Sequence, residues 1–229
     1  MGVQENLLQV RQRMQAAAIR THRDIKEIQL IAVSKMTDMP SIEEAIRLGI
    51  QDFGENRTPQ LKQRQMALPQ VRWHMIGRLQ TNKVKEAVEH ACLIHSVDRY
   101  ELAQEINKRA EKMGKVMPCL LEVNVAGEEQ KAGIRPQEAL DFLTDAQSFK
   151  YIQFRGLMTM APDVPDQEME SVRPVFRGLY QLRETLREKT FVNSQIQELS
   201  MGMSHDFEIA IEEGATMVRV GSAIFLQEK

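Results

Sequence analysis

Lys35 closes the stretch LIAVSK, residues 30–35, where four apolar residues precede a serine and then the amine. An uninterrupted apolar run of this kind reads as a strand buried on both faces, so the lysine falls where the strand leaves the core. A lysine there is ordinarily a solvated charge. Held in a pocket and partly desolvated, it becomes a nucleophile toward carbonyl compounds. Two further stretches, SMGMS (200–204) and VRVGS (218–222), place glycine and hydroxyl residues at the expected starts of helices, with Ser204 as the cap before HDFEIAIEEG. Free backbone N–H groups and a positive helix end make such starts anion sites, although glycine and serine also recur in plain turns. Arg219 alternates with Met217 inside an apolar run, where a charge needs a partner; Glu122 is one candidate.

These residues are far apart in the chain, so the elements between them must bring them together. Short apolar runs recur at 28–34, 50–54, 71–77, 92–97, 118–125, 152–160, 196–202 and 216–222. Helix-like segments separate them. One spans 41–49, with Ser41 as cap, Glu44 at the capping-box position and Gly49 as stop; another spans 98–114, from Asp98 to Gly114. A third, 136–147, opens on Pro136, and the segment 166–189 carries Pro174, which predicts a kink or break. An amphipathic helix over 3–20, with Leu7, Val10, Met14 and Ala18 on one stripe, precedes them all. Eight strand–helix units in series predict a single α/β domain over 1–229, a (β/α)8 TIM-type barrel with an extra N-terminal helix. An open doubly wound sheet is the rival, but no glycine-rich dinucleotide loop follows the first strand.

Composition narrows the function. The 229 residues are 42% hydrophobic, and 30 Lys plus Arg against 32 Asp plus Glu leave a net charge of −2. That balance gives no electrostatic case for nucleic acid or an anionic membrane as partner. No stretch approaches a membrane span or a secretory signal. Cys92 and Cys119 lie inside apolar runs, which points to a reducing, cytoplasmic setting, and five histidines without metal-ligand spacing predict no structural metal. With no apolar surface stripe left over, a monomer is expected.

In a barrel, the C-terminal strand ends surround one opening. Lys35 then faces SMGMS and VRVGS across it. An amine and an anion site in one mouth predict a phosphorylated carbonyl compound: a sugar phosphate bound as a Schiff base, or pyridoxal 5′-phosphate (PLP). Arg219 favours the second, because an arginine facing a pyridine nitrogen keeps it unprotonated and weakens the ring as an electron sink.

Taken together, IAVSK, FGEN, WHMIGRLQTNK, IHSVD, EVNVAGEEQKAGI, RGLMTM and SMGMSHDFEIAIEEGATMVRVGSAIF resemble the YggS/PROSC family of PLP-binding proteins, also called PLP homeostasis proteins, from about residue 28 to residue 226. The resemblance implies a fold like the N-terminal barrel of alanine racemase and Lys35 as the lysine that holds PLP as a Schiff base. It implies Ser200, Gly202, Met203, Gly221 and Ser222 as the phosphate loops, and Arg219 near the pyridine nitrogen. Asn56 and His74 match residues flanking the cofactor. Lys131 matches a lysine linked in the family with PLP transfer; read alone, it is a solvated loop lysine. Arg78 stands where histidine is frequent, Arg57 where an aromatic is common, and Ser222 where threonine is. The family implies a protein that buffers or delivers PLP within the cell without robust catalysis of its own, with PLP-requiring apo-enzymes as candidate recipients. The alternative is a PLP-dependent amino-acid racemase. That reaction needs a second base, a tyrosine in alanine racemase, supplied by a further β domain for which no residues follow Lys229. Tyr100 and Tyr180 fall in helices and Tyr151 at the far end of a strand; His74 and His95 remain as bases in principle.

Overall fold

A computed structural model describes residues 2–128 and 130–226. Eight parallel strands close into a barrel in sequence order: β1 (Gln29–Val33), β2 (Asp52–Glu55), β3 (Arg72–Met75), β4 (Leu93–Val97), β5 (Met117–Glu122), β6 (Ile152–Met158), β7 (Glu198–Ser200) and β8 (Met217–Val220). Closure comes from β1 pairing with β8 through Gln29↔Met217 to Ala32↔Val220. The helices among the described residues are α1 (Val3–Arg20), α2 (Met39–Arg47), α3 (Thr58–Ala67), α4 (Val84–His90), α5 (Tyr100–Lys112), α6 (Ala139–Asp145), α7 (Arg173–Arg187), α8 (Phe207–Glu212) and the short α9 (Ser222–Phe225). The eight strands and the leading helix therefore fall where the apolar runs place them. A 3-10 segment, Asp166–Val172, leads into α7, and Pro174 sits in that helix's first turn, which is where the break occurs.

Strand alternation sorts side chains into two cores. Ala32, Phe53, Trp73, Ile94, Leu121 and Val218 face the helices, where α1 contributes Leu7, Val10 and Met14. Ile31, Leu93, Leu120, Met158 and Met217 form a separate apolar layer inside the barrel. Burying one such side chain contributes about 1.5–3 kcal/mol.

Three caps differ from the sequence expectation. Helix α2 starts two residues before Ser41: Asp38 is its cap, accepting the Ser41 N–H at 3.0 Å, and Pro40 sits in the first turn where no N–H is needed. Asp98 caps nothing; it pairs with the Arg99 guanidinium, and α5 begins at Tyr100. Asp206, not Ser204, precedes α8, and its carboxylate takes the Met203 N–H. The Ser204 hydroxyl instead accepts from Gly221 N at 3.2 Å and Ala223 N at 3.3 Å, tying the β7 loop to the β8 loop.

Candidate functional site

A cavity of about 580 Å³ opens at the C-terminal ends of the strands. Lys35, Asn56, Met203, Arg219, Gly221 and Ser222 all line it, brought together from strands 1, 2, 7 and 8; Lys131, Glu122 and His205 are also on its wall. Its size is that of a small-molecule site. Three of the expected residues do not reach it. His74 is 3% exposed and pairs in register with Gly54 and Leu93, while Ser200 pairs with Met217. Both therefore sit level with the interior apolar layer, one side chain below the mouth. Gly202 has φ +90, and a Cβ there would lie 2.5 Å from Ala210 Cβ and 2.9 Å from Phe207 Cα. Glycine there lets α8 approach.

The lysine is placed by a clamp. Thr37 N donates to Ser34 O at 2.9 Å, closing a turn with Lys35 and Met36 at its centre; Met36 takes the left-handed φ of +68 and is fully exposed. A bulky residue in that region is strained, and such strain clusters at functional sites. Arg64 on α3 donates to Ser34 O and, at 2.7 Å, to Thr37 O, gripping the turn on both sides of the lysine. The same guanidinium pairs with Glu55 at the end of β2, which also accepts the Ser34 hydroxyl. Burial raises the Glu55 pKa, and the two partners oppose that shift.

Arg219 is held by a chain of hydrogen bonds running through the barrel. It donates from Nη1 to Ser200 Oγ at 2.6 Å and from Nη2 to Thr159 O at 3.0 Å. Ser200 Oγ lies 2.8 Å from His95 Nδ1, His95 Nε2 lies 3.0 Å from His74 Nδ1, and His74 Nε2 lies 3.0 Å from Asp52 Oδ1. One assignment of protons satisfies every member: arginine to serine, serine to His95, His95 to His74, His74 to the carboxylate. It requires both imidazoles neutral. Complete burial, with His74 and Arg219 nearby, pushes the His95 pKa well below the usual histidine value, which agrees. At the outer end Arg72 grips Asp52 with two bonds of 2.6 Å. Burial lowers the Arg219 pKa to about 10, so the group stays cationic at neutral pH.

The carboxyl of Glu122, the partner considered for Arg219 from the sequence, makes no hydrogen bond or ion pair among the described residues, although the nearby Arg219 charge attracts it. Burial first, then Asp98, raises its pKa to about 7. Lys131 is not freely solvated: its Nζ donates to Ala161 O at 3.1 Å and pairs with Glu128 at 3.1 Å. Glu55, in FGEN, falls at the end of the second strand as the sequence places it; Arg64, Asp52 and Thr159 are positioning residues that nothing local in the sequence signals.

The backbone N–H groups of Ser204, His205 and Ser222 donate to nothing among the described residues, and all three residues border the cavity. They offer an anion three donors beside the Ser222 hydroxyl. An amine, a buried guanidinium and an anion cradle around one cavity fit a phosphorylated aldehyde.

Comparison with known proteins agrees with this geometry. Residues 4–229 match the family model described as alanine racemase, N-terminal domain. A pyridoxal phosphate homeostasis protein of Aquifex aeolicus is 42% identical over 231 residues, covering 100% of both chains. PipY of Synechococcus elongatus, solved with PLP bound, superposes with a TM-score of 0.79 at 33% identity, over 95% of this chain and 100% of that one. A Clostridium difficile alanine racemase shares the fold, with a TM-score of 0.77 at 15% identity, this chain covering 60% of its length. The chain belongs to the alanine racemase N-terminal-domain family. Within it, its place is among the pyridoxal phosphate homeostasis proteins.

Proposed function

We propose that this protein binds PLP on Lys35 and buffers or delivers it within the cell. The observation that carries the reading is the convergence of Lys35, Arg219 and the free Ser204, His205 and Ser222 amides on one cavity. When bound, the group supplies an aldehyde with which the lysine amine condenses. The chain's own residues do the rest. The Arg64 clamp presents Lys35 to the cavity, and the three amides with the Ser222 hydroxyl would hold the phosphate. Arg219, cationic and fixed by Ser200 and Thr159, would stand toward the ring nitrogen and keep it unprotonated. Asn56, Met203 and Lys131 line the same cavity, and the first two would flank the ring.

A carrier fits better than a racemase. None of Tyr100, Tyr151 and Tyr180 lines the cavity, and His74 and His95 are enclosed in the relay below it. His205 is the histidine on the wall. The barrel acts as one domain and as a monomer, handing PLP to apo-enzymes. Both cysteines are free, with the Cys92 thiol pushed up to about 12 by burial, which suits a reducing cytoplasm. No helix among the described residues is long and apolar enough to cross a membrane.

The test is the visible spectrum with added PLP, then borohydride reduction and peptide mapping. The expected result is a single labelled lysine, Lys35, and loss of both colour and label in Lys35→Ala with the fold retained. Label spread over surface lysines overturns the reading.

A further inference from the structure

A second cavity, of about 690 Å³, lies beside the first and shares Asn56, Gly77 and Arg78 with it. Four of the residues lining it are cations, Arg57, Arg78, Lys83 and Arg99, and none is acidic. In a chain whose net charge is −2, that gathering of one sign is local. Asp98 approaches from the side, pairing with Arg99 and standing 3.8 Å from Arg78 Nε. The side chains of Arg57 and Lys83 have no ion-pair or hydrogen-bond partner among the described residues. They are free to meet a ligand.

The wall between Arg57 and Lys83 is also built from donors. Helix α3, ten residues long, begins here, and its cap residue Arg57 makes no side-chain bond to the first turn. Pro59 in the first turn carries no N–H, so the amides of Thr58 and Gln60 are the two left for another acceptor, while Leu61 N donates to Arg57 O. Thr58, its first residue, is 3% exposed and lines the cavity, yet its hydroxyl has no hydrogen-bond partner. A buried hydroxyl without a partner is uncommon, and this one is enclosed just behind the cavity wall.

We propose that this cavity is a second anion site, which takes a small phosphate-bearing molecule beside the ligand of the Lys35 cavity. Guanidinium forks match phosphate oxygens two at a time, and the unpartnered Arg57 and Lys83 side chains supply the charge. The volume suits a small molecule and not a peptide helix. The proposal does not depend on what Lys35 binds. The shared Asn56, Gly77 and Arg78 make the two occupants neighbours, so filling one site changes the affinity of the other.

Pyrophosphate is the probe, followed by titration calorimetry on two forms of the full chain. One is the protein with PLP fixed by borohydride, so that the first phosphate cradle is filled; the other is unloaded Lys35→Ala. Binding of one pyrophosphate to the PLP-filled form is expected, and of a second to unloaded Lys35→Ala, whose first phosphate cradle is open. Lys83→Ala and Arg57→Ala should each weaken it about tenfold, with PLP uptake and melting temperature unchanged, and Thr58→Val should weaken it less. Lys83→Arg should retain binding. No heat on the PLP-filled protein, or binding indifferent to Lys83→Ala and Arg57→Ala, overturns the proposal. Failure of the PLP reading would show separately, as an unlabelled Lys35 in the reduction step.

Discussion

Glu55 and Glu122 end strands β2 and β5, and both are nearly sealed from solvent, at 1% and 3% exposure. Glu55 is fully occupied: Ser34 donates to it, Arg64 pairs with it, and through them it holds the turn that carries Lys35. Glu122 has the cavity in front of it and no partner, and its pKa rises to about 7. The same residue type at equivalent depth thus builds the site in one place and faces its contents in the other. What decides the role is whether the fold supplies a hydrogen-bonding cation.

The largest way to break this contrast is to strip Glu55 of its cation. Arg64→Ala leaves a buried carboxylate uncompensated and should cost roughly 3–5 kcal/mol in urea unfolding. Retention of PLP should fall as well, because the Lys35 turn loses both of its outer bonds. A loss below 1 kcal/mol would show that Glu55 takes up a proton instead.

Glu122→Gln tests the other side. A carboxyl whose folded pKa is raised binds its proton more tightly when folded, so wild type loses stability as pH climbs from about 4.5 to about 7. The substitution should therefore leave stability at pH 4 unchanged and raise it at pH 8 by as much as about 3 kcal/mol. Melting curves at the two pH values check it; equal differences at both would remove Glu122 from that role.

Arg219 belongs with Glu55, as a charge fully engaged by its surroundings. Ser200→Ala strands one guanidinium N–H and His95 Nδ1, and should cost about 2 kcal/mol. It should also lower PLP affinity although Ser200 lines no part of the cavity. Unchanged affinity would mean that Thr159 alone holds the arginine. The smallest effect is expected from Arg72→Ala. Its side chain is 56% exposed, so solvent screens the pair with Asp52 and the loss should stay near or below about 1 kcal/mol in the same unfolding assay.

Strand number, order and approximate limits were legible because apolar runs separated by turn residues carry them directly. The helix starts were less so. Ser41 looked like a cap until Asp38 with Pro40 gave an earlier one, and the Ser204 hydroxyl was drawn to amides on a loop seventeen residues away. Alternation also announced that Met217 and Arg219 share a face. It does not say how far along the barrel axis a residue sits, which depends on register between strands. That is why His74 and Ser200 were read as cavity residues when each lies one layer deeper. The residues that grip Lys35 escaped because Arg64 meets Ser34 across thirty positions of chain.

The relay from Asp52 to Arg219 draws one member each from β2, β3, β4, β7 and β8. An incompletely assembled barrel, with its last two strands undocked, would leave His95 with an unmet acceptor in an apolar interior. Partial structures are thereby penalised, and gain comes only when the eighth strand meets the first. Polar groups placed across the seam in this way favour unfolding as a single cooperative event, with few half-open barrels populated along the way.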